Sequence, residues 1–331
     1  MRSFGVLAKG WSLVSGEAGN LKDSVLCALL VAICGVLAMY LPPLFLVVSI
    51  VLPAFPALLT VRRSLFVAAG ALVAAAILLG LAMSPQGVGL VWQAELLLMV
   101  PMGLSGLLLG LIFKNRLSAS KGVLVALAGQ FFFTAAAWAW YWGTTGYNPF
   151  SSASLQAALN EVIAMYLQTG GGGGAAPTLA RFAHLMLFLW PGIQVAGLAA
   201  QMGATYLWTR FLLIRQGGPV PVVLPFSLWH LPWYSIWSLI AGLGLFLAGS
   251  EFGWPLADRL GGNLLYVVAQ VYLVVGIAVV GFHFRRLRGM GLLKILLVLA
   301  LVVDPQVSVP LLIVVGVLDS IVNLRRKPEK N

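Results

Sequence analysis

Long apolar runs separated by short polar and basic segments fill most of the 331-residue sequence. Most of the runs approach the ~20 residues with which a helix crosses the hydrocarbon core of a bilayer, where a single span must satisfy its own backbone hydrogen bonds. The pattern predicts an all-α polytopic membrane protein of about ten transmembrane helices. The predicted spans are residues 25–41, 44–61, 65–83, 91–113, 122–142, 182–213, 233–250, 263–284, 289–303 and 306–322.

The last two runs leave the number of crossings open. Residues 289–303 are shorter than a full span, and Asp304-Pro305 interrupts the apolar pattern before 306–322. Both flanks of the pair are basic, which disfavours an odd number of crossings. Two short tilted helices and a re-entrant hairpin both fit, and two spans are the preferred interpretation.

The basic residues indicate an orientation. With the N-terminus in the cytoplasm, every Lys and Arg except Arg181 and Arg259 falls on the cytoplasmic side, as the positive-inside rule expects. The net charge of +11 is spread over short segments between spans rather than gathered in a basic domain. We therefore expect both termini inside, a multi-pass protein of the cytoplasmic (inner) membrane in contact with the lipid bilayer, and no nucleic-acid partner.

Composition shifts divide the chain into five predicted parts. A cytoplasmic N-terminal segment is followed by a six-span block, a proline- and aromatic-rich inner linker, a four-span block and a basic cytoplasmic tail. Their bounds are residues 1–24, 25–215, 216–232, 233–322 and 323–331.

The longest predicted outer loop, residues 143–181, contains a further helix. Apolar residues from Leu155 to Tyr166 repeat at helical spacing, and Gly170 to Gly174 follow them. A helix on a glycine tether could be a lid over an outward-facing cavity. A surface helix resting on the outer leaflet of the membrane is the preferred interpretation.

Motifs for catalysis are missing from the sequence. No G-x-x-x-x-G-K-[ST] phosphate-binding loop occurs, and the three histidines are far apart without Cys or carboxylate at ligand spacing. We expect no enzyme activity, metal or cofactor.

Polar residues within the apolar runs are the remaining candidates for function. A solute site near the predicted outer side is one hypothesis, and an aromatic belt with interhelical hydrogen bonds explains the same residues without a ligand. Asn263 is interpreted as a helix cap and Asp319 as the partner of a nearby Arg or Lys. The hypothetical ligand-binding residues are Trp92, Glu95, Gln130, Trp138, Tyr141 and Trp142.

Small residues and prolines predict how the spans pack. Gly106-x-x-x-Gly110 allows close approach of a neighbouring helix, Ala28 and Ala32 form a small-residue face on the first span, and Pro191 predicts a kink in the sixth.

The stretch from Leu224 to Trp237, Leu-Pro-Phe-Ser-Leu-Trp-His-Leu-Pro-Trp-Tyr-Ser-Ile-Trp, is the most distinctive in the chain. Together with Asn263-Leu-Leu-Tyr and the run from Gln270, it resembles the YybS-like family of predicted bacterial membrane proteins, a domain of unknown function. The resemblance implies a bacterial inner-membrane protein.

The first six spans resemble the substrate-binding (S) components of energy-coupling factor vitamin transporters. The resemblance is carried by the Ala28/Ala32 face, the prolines around span two, Arg62-Arg63 and the glycine-rich fourth span. It implies docking of Ala28 and Ala32 on a transmembrane coupling subunit, energy-coupling ATPases as partners, and a vitamin-like solute near Glu95. The four extra spans depart from that family.

Two functions of different classes follow. One is an S-component-like, solute-binding membrane subunit. The other is a non-transporting membrane scaffold of envelope or developmental processes, which would act through its aromatic linker and basic tail.

Overall fold

The computed structural model describes residues 17–83, 89–146, 152–168, 176–218, 220–286, 299 and 303–325. Regular structure in these residues is entirely helical, with no strand. The helices are α1 (Glu17–Tyr40), α2 (Phe45–Val51), α3 (Ala54–Arg62), α4 (Leu65–Met83), α5 (Gly89–Lys114), α6 (Ala119–Thr145), α7 (Ser152–Gln168), α8 (Ala176–Arg215), α9 (Ile236–Phe252), α10 (Pro255–Arg286) and α11 (Pro305–Val322).

The all-α polytopic architecture is confirmed. Among the described residues, seven helices or helix pairs are long and apolar enough to cross a membrane, and the shorter apolar stretches Leu65–Leu81 and Met99–Lys114 add to them. Nine predicted spans coincide with described helices, α2 and α3 together forming the second span. The ninth predicted span, 289–303, lies outside the described residues apart from residues 299 and 303. Whether it forms a second span with 306–322 or a re-entrant hairpin therefore stays a prediction.

The chain forms two compact units. Unit 1 contains residues 1–148 and 197–222, and unit 2 contains residues 149–196 and 223–331. The two halves of α8 therefore belong to different units. The predicted blocks, 25–215 and 233–322, group residues 149–196 with the first block instead, and this division of the chain stays a prediction.

Unit 1 is built around close contacts of α5 with α3. A β-carbon on Gly106 would overlap the carbonyl oxygen of Pro53, and one on Gly110 would overlap Thr60. Gly106-x-x-x-Gly110 is therefore a helix-packing motif, as predicted. On the other side of α5, the side chains of Ile112 and Leu108 fill the space beside Gly122 and Gly129 of α6.

Pro53 interrupts the second span between α2 and α3. Since proline has no N–H, the carbonyl of Ser49 loses its helical donor four residues later. The side chain of Gln201 donates from Nε2 to this oxygen at 3.2 Å, and Thr205 Oγ1 donates to the neighbouring Ile50 carbonyl at 3.2 Å. Gln201 thus makes an interhelical hydrogen bond, and α8 supplies donors to the carbonyls left free at the end of α2.

Unit 2 is held together by glycines at two helix crossings. Gly249 and Gly261 bring the backbones of α9 and α10 into contact. A β-carbon on Gly276 of α10 would overlap the carbonyl oxygen of Leu312, and one on Gly316 of α11 would overlap that of Tyr272. At this second crossing the two backbones touch, and nothing larger than glycine fits.

The predicted amphipathic helix of the long loop is present as α7, Ser152–Gln168. Its apolar side chains Val162 and Met165 are 63% and 61% exposed. The choice between a lid and a helix resting on the membrane stays open.

The crossing of α10 and α11 gives a direct test. Replacing Gly276 with alanine should destabilise the protein by about 1–3 kcal/mol, because its methyl group has no space against Leu312. Gly281→Ala, on the same helix with open space around it, is the matched control and should be neutral or slightly stabilising. Thermal unfolding of the detergent-purified variants measures both. Equal melting temperatures for the two variants would contradict the tight crossing.

Candidate functional site

Four of the predicted ligand-binding residues lie on α6. Gln130, Trp138 and Tyr141 share one face by helical spacing. Gln130 is 2% exposed, and its Nε2 donates to Thr134 Oγ1 at 3.4 Å. Its Oε1 is buried and has no hydrogen-bond partner among the described residues. Such an unpaired acceptor costs roughly 1–3 kcal/mol and marks a place where a polar atom is needed.

The aromatic members are divided between the interior and the surface. The rings of Trp138 and Tyr141 meet edge to face at 6.0 Å, and Tyr141 is 9% exposed. Trp142 is 56% exposed. Trp142 therefore fits the aromatic-belt interpretation better than the solute interpretation.

The other two predicted ligand residues, Trp92 and Glu95, lie on α5. Their side chains are outside the described part of the structure. Because Ile112 packs beside Gly122 and Leu108 beside Gly129, α5 and α6 run antiparallel. Extending that register places residue 95 level with the last turns of α6.

The predicted docking residues lie on α1. Ala28 is 3% exposed and belongs to the core of unit 1, whereas Ala32 is half-buried. Ala28 is therefore covered by its own unit, and docking of this face on another subunit stays a prediction.

Unit 2 contains a polar site at the proline of α8. Pro191 removes the donor that would bond the Leu187 carbonyl, and Arg259 of α10 donates from Nη2 to that oxygen at 3.4 Å. One residue on, Gly192 N–H donates to Asn263 Oδ1 at 2.6 Å, and Asn263 Nδ2 donates to the Phe188 carbonyl at 2.9 Å.

The Asn263 amide thus replaces a helical hydrogen bond. It lies between the N–H of Gly192 and the carbonyl of Phe188, which would bond each other in an unbroken helix. Gly192 leaves room for it, since a β-carbon there would be 2.9 Å from Asn263 Oδ1. The prediction that Asn263 caps a helix is wrong, because α10 begins at Pro255, two turns earlier.

A buried ion pair fastens the distinctive 224–237 segment to α11. Arg325 bonds both carboxylate oxygens of Asp319, and the two side chains are 6% and 0% exposed. A third nitrogen of Arg325 donates to the carbonyl of Ser227 at 2.8 Å. The predicted pairing of Asp319 with a basic residue is confirmed, and its link to the 224–237 segment is new.

Most of the chain matches one family model. A model described as "Predicted membrane protein (DUF2232)" covers residues 29–320. The chain belongs to this family. No curated protein and no solved structure matches it. The coarse prediction of an integral membrane protein is confirmed, whereas the resemblance to S components has no support from these comparisons.

Membership in DUF2232 assigns no chemistry, so a function has to be inferred from the side chains and their contacts. Sequence reasoning missed Arg259 and the true role of Asn263. The available signal was a proline inside a long apolar run together with an asparagine inside another, since a freed backbone in lipid needs a polar partner. Which asparagine serves which proline depends on tertiary structure.

Replacing Asn263 with leucine, similar in size, should destabilise the protein by about 2 kcal/mol or more. The N–H of Gly192 and the carbonyl of Phe188 would lose their partner while partly buried. Gln270→Leu on the same helix is the control, because Gln270 has no hydrogen bond to lose among the described residues. Chemical unfolding in detergent measures the difference. An Asn263→Leu variant as stable as Gln270→Leu would contradict a stabilising role for the hydrogen bonds of Asn263 to Gly192 and Phe188.

Replacing Arg325 with methionine should destabilise the protein by about 3–5 kcal/mol, because Asp319 would stay buried without a counter-ion. The double variant Arg325→Met, Asp319→Leu should recover most of that loss. Unfolding of the two variants, with proteolysis of the 224–237 segment as a local readout, provides the test. If the double variant is no more stable than the single one, the buried charge is not the cause.

Proposed function

We propose that this DUF2232 protein is a solute-binding subunit of the bacterial cytoplasmic membrane, related in function to S components. The observation that carries the proposal is the Gln130 amide. It is buried in unit 1, its oxygen has no hydrogen-bond partner in the described part of the chain, and it lies on the same face of α6 as Trp138 and Tyr141. A small polar solute with a donor group would satisfy that oxygen, and a flat solute would pack on the aromatic rings.

The neighbouring helix supports the same location. The antiparallel register of α5 and α6 brings the position of Glu95 level with the aromatic end of α6. A carboxylate there would suit a cationic or amine-bearing part of the solute. In this proposal both termini are cytoplasmic and the solute enters from the outer side.

Transport would need energy from other proteins, because the sequence contains no phosphate-binding loop of the ATPase type. We therefore expect ATPases and a transmembrane coupling subunit as partners. Since Ala28 is buried in its own unit, docking through α1 would use the half-buried Ala32 and its exposed neighbours.

The scaffold function remains the second candidate because of the 224–237 segment. Trp233, Tyr234 and Trp237 are 66%, 61% and 60% exposed, although the segment itself is fastened by Arg325. An ordered segment with exposed aromatic rings suits a protein partner as well as the membrane interface.

Purification from native membranes in mild detergent, followed by mass spectrometry of bound small molecules and proteins, separates the two candidates. The wild type should retain a solute together with ATPase subunits. Gln130→Leu should retain about tenfold less solute, the loss expected for one well-made hydrogen bond. Gln194→Leu is the matched control and should retain it fully.

Failure of the proposal would be visible in the same experiment. If Gln130→Leu retains as much solute as Gln194→Leu, the site assignment is wrong. If envelope proteins are recovered in place of a solute and ATPases, and are lost from Trp233→Ala with Trp237→Ala, the scaffold function replaces it.

A further inference from the structure

A groove runs along one side of unit 1, between α1 and α4. The two helices are parallel. Near their starts an ion pair of 2.9 Å joins Asp23 to Arg63, and near their ends the Leu79 side chain lies 3.1 Å from the position of a β-carbon on Gly35. The α1–α4 groove has a volume of about 740 Å³, within the range of about 300–1,000 Å³ that is usual for small-molecule sites. It therefore has room for a ligand.

The floor of the groove is made of small residues and its edges of large ones. Ala28 and Ala71 are buried at its base, and a β-carbon on Gly70 would have no neighbour within 4 Å. Leu21 of α1 and Phe66 of α4 form the edges and are 68% and 86% exposed. A thin hydrocarbon chain reaches such a floor. An α-helix, which is about 10–12 Å wide, would rest on the edges instead.

The lining of the groove is apolar except at one end. Its polar members are Asn20 and Ser24, which both belong to the start of α1. From there the lining extends to Leu29 on α1 and to Leu78 on α4. At 1.5 Å per residue this is about 14–18 Å, close to half of the ~30 Å hydrocarbon core. The groove therefore matches one leaflet, whereas a membrane-spanning helix of a partner needs a surface about twice as long.

The polar end of the groove is cationic. Lys22 is exposed beside Asn20, and Lys114 of α5 donates from Nζ to the carbonyl of Arg63 at 3.4 Å. Asp23, the partner of Arg63, is the only carboxylate among the described side chains of unit 1. In the predicted orientation this end lies at the cytoplasmic leaflet, where acidic lipids attract basic residues.

We propose that the α1–α4 groove binds an acidic phospholipid of the cytoplasmic leaflet. One acyl chain lies in the groove over Gly70, and the headgroup lies beside Asn20 and Lys22. Van der Waals packing of the methylene groups holds the chain, and the cations select a negative headgroup. Neither Gln130 nor Ala32 lines the groove, so the proposal does not depend on the solute site or on docking to a coupling subunit.

Thermal unfolding of the full-length protein in mild detergent tests the groove with three probes. They are long-chain phosphatidylglycerol, phosphatidylcholine with the same chains, and short-chain phosphatidylglycerol with the same headgroup. We expect long-chain phosphatidylglycerol to raise the melting temperature most, because it alone combines the acyl chain with the negative charge. The proposal is wrong if either of the other two lipids raises it as much.

A pair of glycine variants locates the acyl chain. Gly70→Leu fills the groove without a clash and removes about ten atom contacts of the chain, which should weaken the apparent affinity about tenfold. Gly80→Leu is the matched control. Gly80 lies on the same helix, also has no neighbour within 4 Å of a β-carbon, and does not line the groove. Because leucine favours a helix more than glycine does, both variants should remain stable without lipid. Equal affinities for phosphatidylglycerol would refute the site.

A lysine variant tests the headgroup end. Lys22→Gln should reduce the preference for phosphatidylglycerol over phosphatidylcholine about fivefold, whereas Lys121→Gln on α6, also exposed, should leave it unchanged. Equal preferences in the two variants would contradict the proposed place of the headgroup.

Mass spectrometry of the protein purified from native membranes distinguishes a lipid from a helix in the groove. The wild type and Gly80→Leu should retain phosphatidylglycerol, and Gly70→Leu should retain about tenfold less. If Gly70→Leu keeps its lipid and instead loses a second copy of the chain or another membrane protein, a helix occupies the groove and the proposal is overturned.

Discussion

A backbone carbonyl freed by proline has no water to bond inside a membrane, and this constraint explains much of the tertiary structure. Pro53 leaves the carbonyl of Ser49 without its helical donor, and Gln201 donates to it instead. At Pro191 the carbonyls of Leu187 and Phe188 accept hydrogen bonds from Arg259 and Asn263. In both units a break in one helix is thus joined to a polar side chain of another. A few hydrogen bonds make the packing of these apolar helices specific. Apolar surfaces alone do not provide that specificity.

Buried polar groups in this protein are of two kinds, which differ in whether all their polar atoms have hydrogen-bond partners. Asn263, Gln201 and Arg325 take part in the fold, because each bonds backbone or a buried carboxylate. Gln130 and Tyr206 are buried just as deeply or more so, yet each has an unpaired polar atom among the described residues. Groups of the first kind hold the helices together, and groups of the second kind are where a ligand has something to satisfy.

The sequence predicted the features that depend on local pattern. Long apolar runs predicted the helices. Gly106-x-x-x-Gly110 predicted a close packing contact, and the short spacing from Asp319 to Arg325 predicted an ion pair. Features that depend on distant pairing escaped it. Asn263 was taken for a cap because nothing in its neighbourhood points to Gly192, 71 residues earlier. The candidate solute residues were grouped by residue type, which could not foresee that Tyr141 is buried while Trp142 is exposed.

The interleaving of the two units has a consequence for synthesis. Unit 1 is completed by residues 197–222, which leave the ribosome only after the first part of unit 2. Gln201 follows the carbonyl it serves by 152 residues. At the usual rates of translation this is a delay of roughly 10 to 30 s. During that interval the break at Pro53 must be tolerated by water, lipid headgroups or the insertion machinery, so the nascent protein is most vulnerable after α3 has been made and before the second half of α8 arrives.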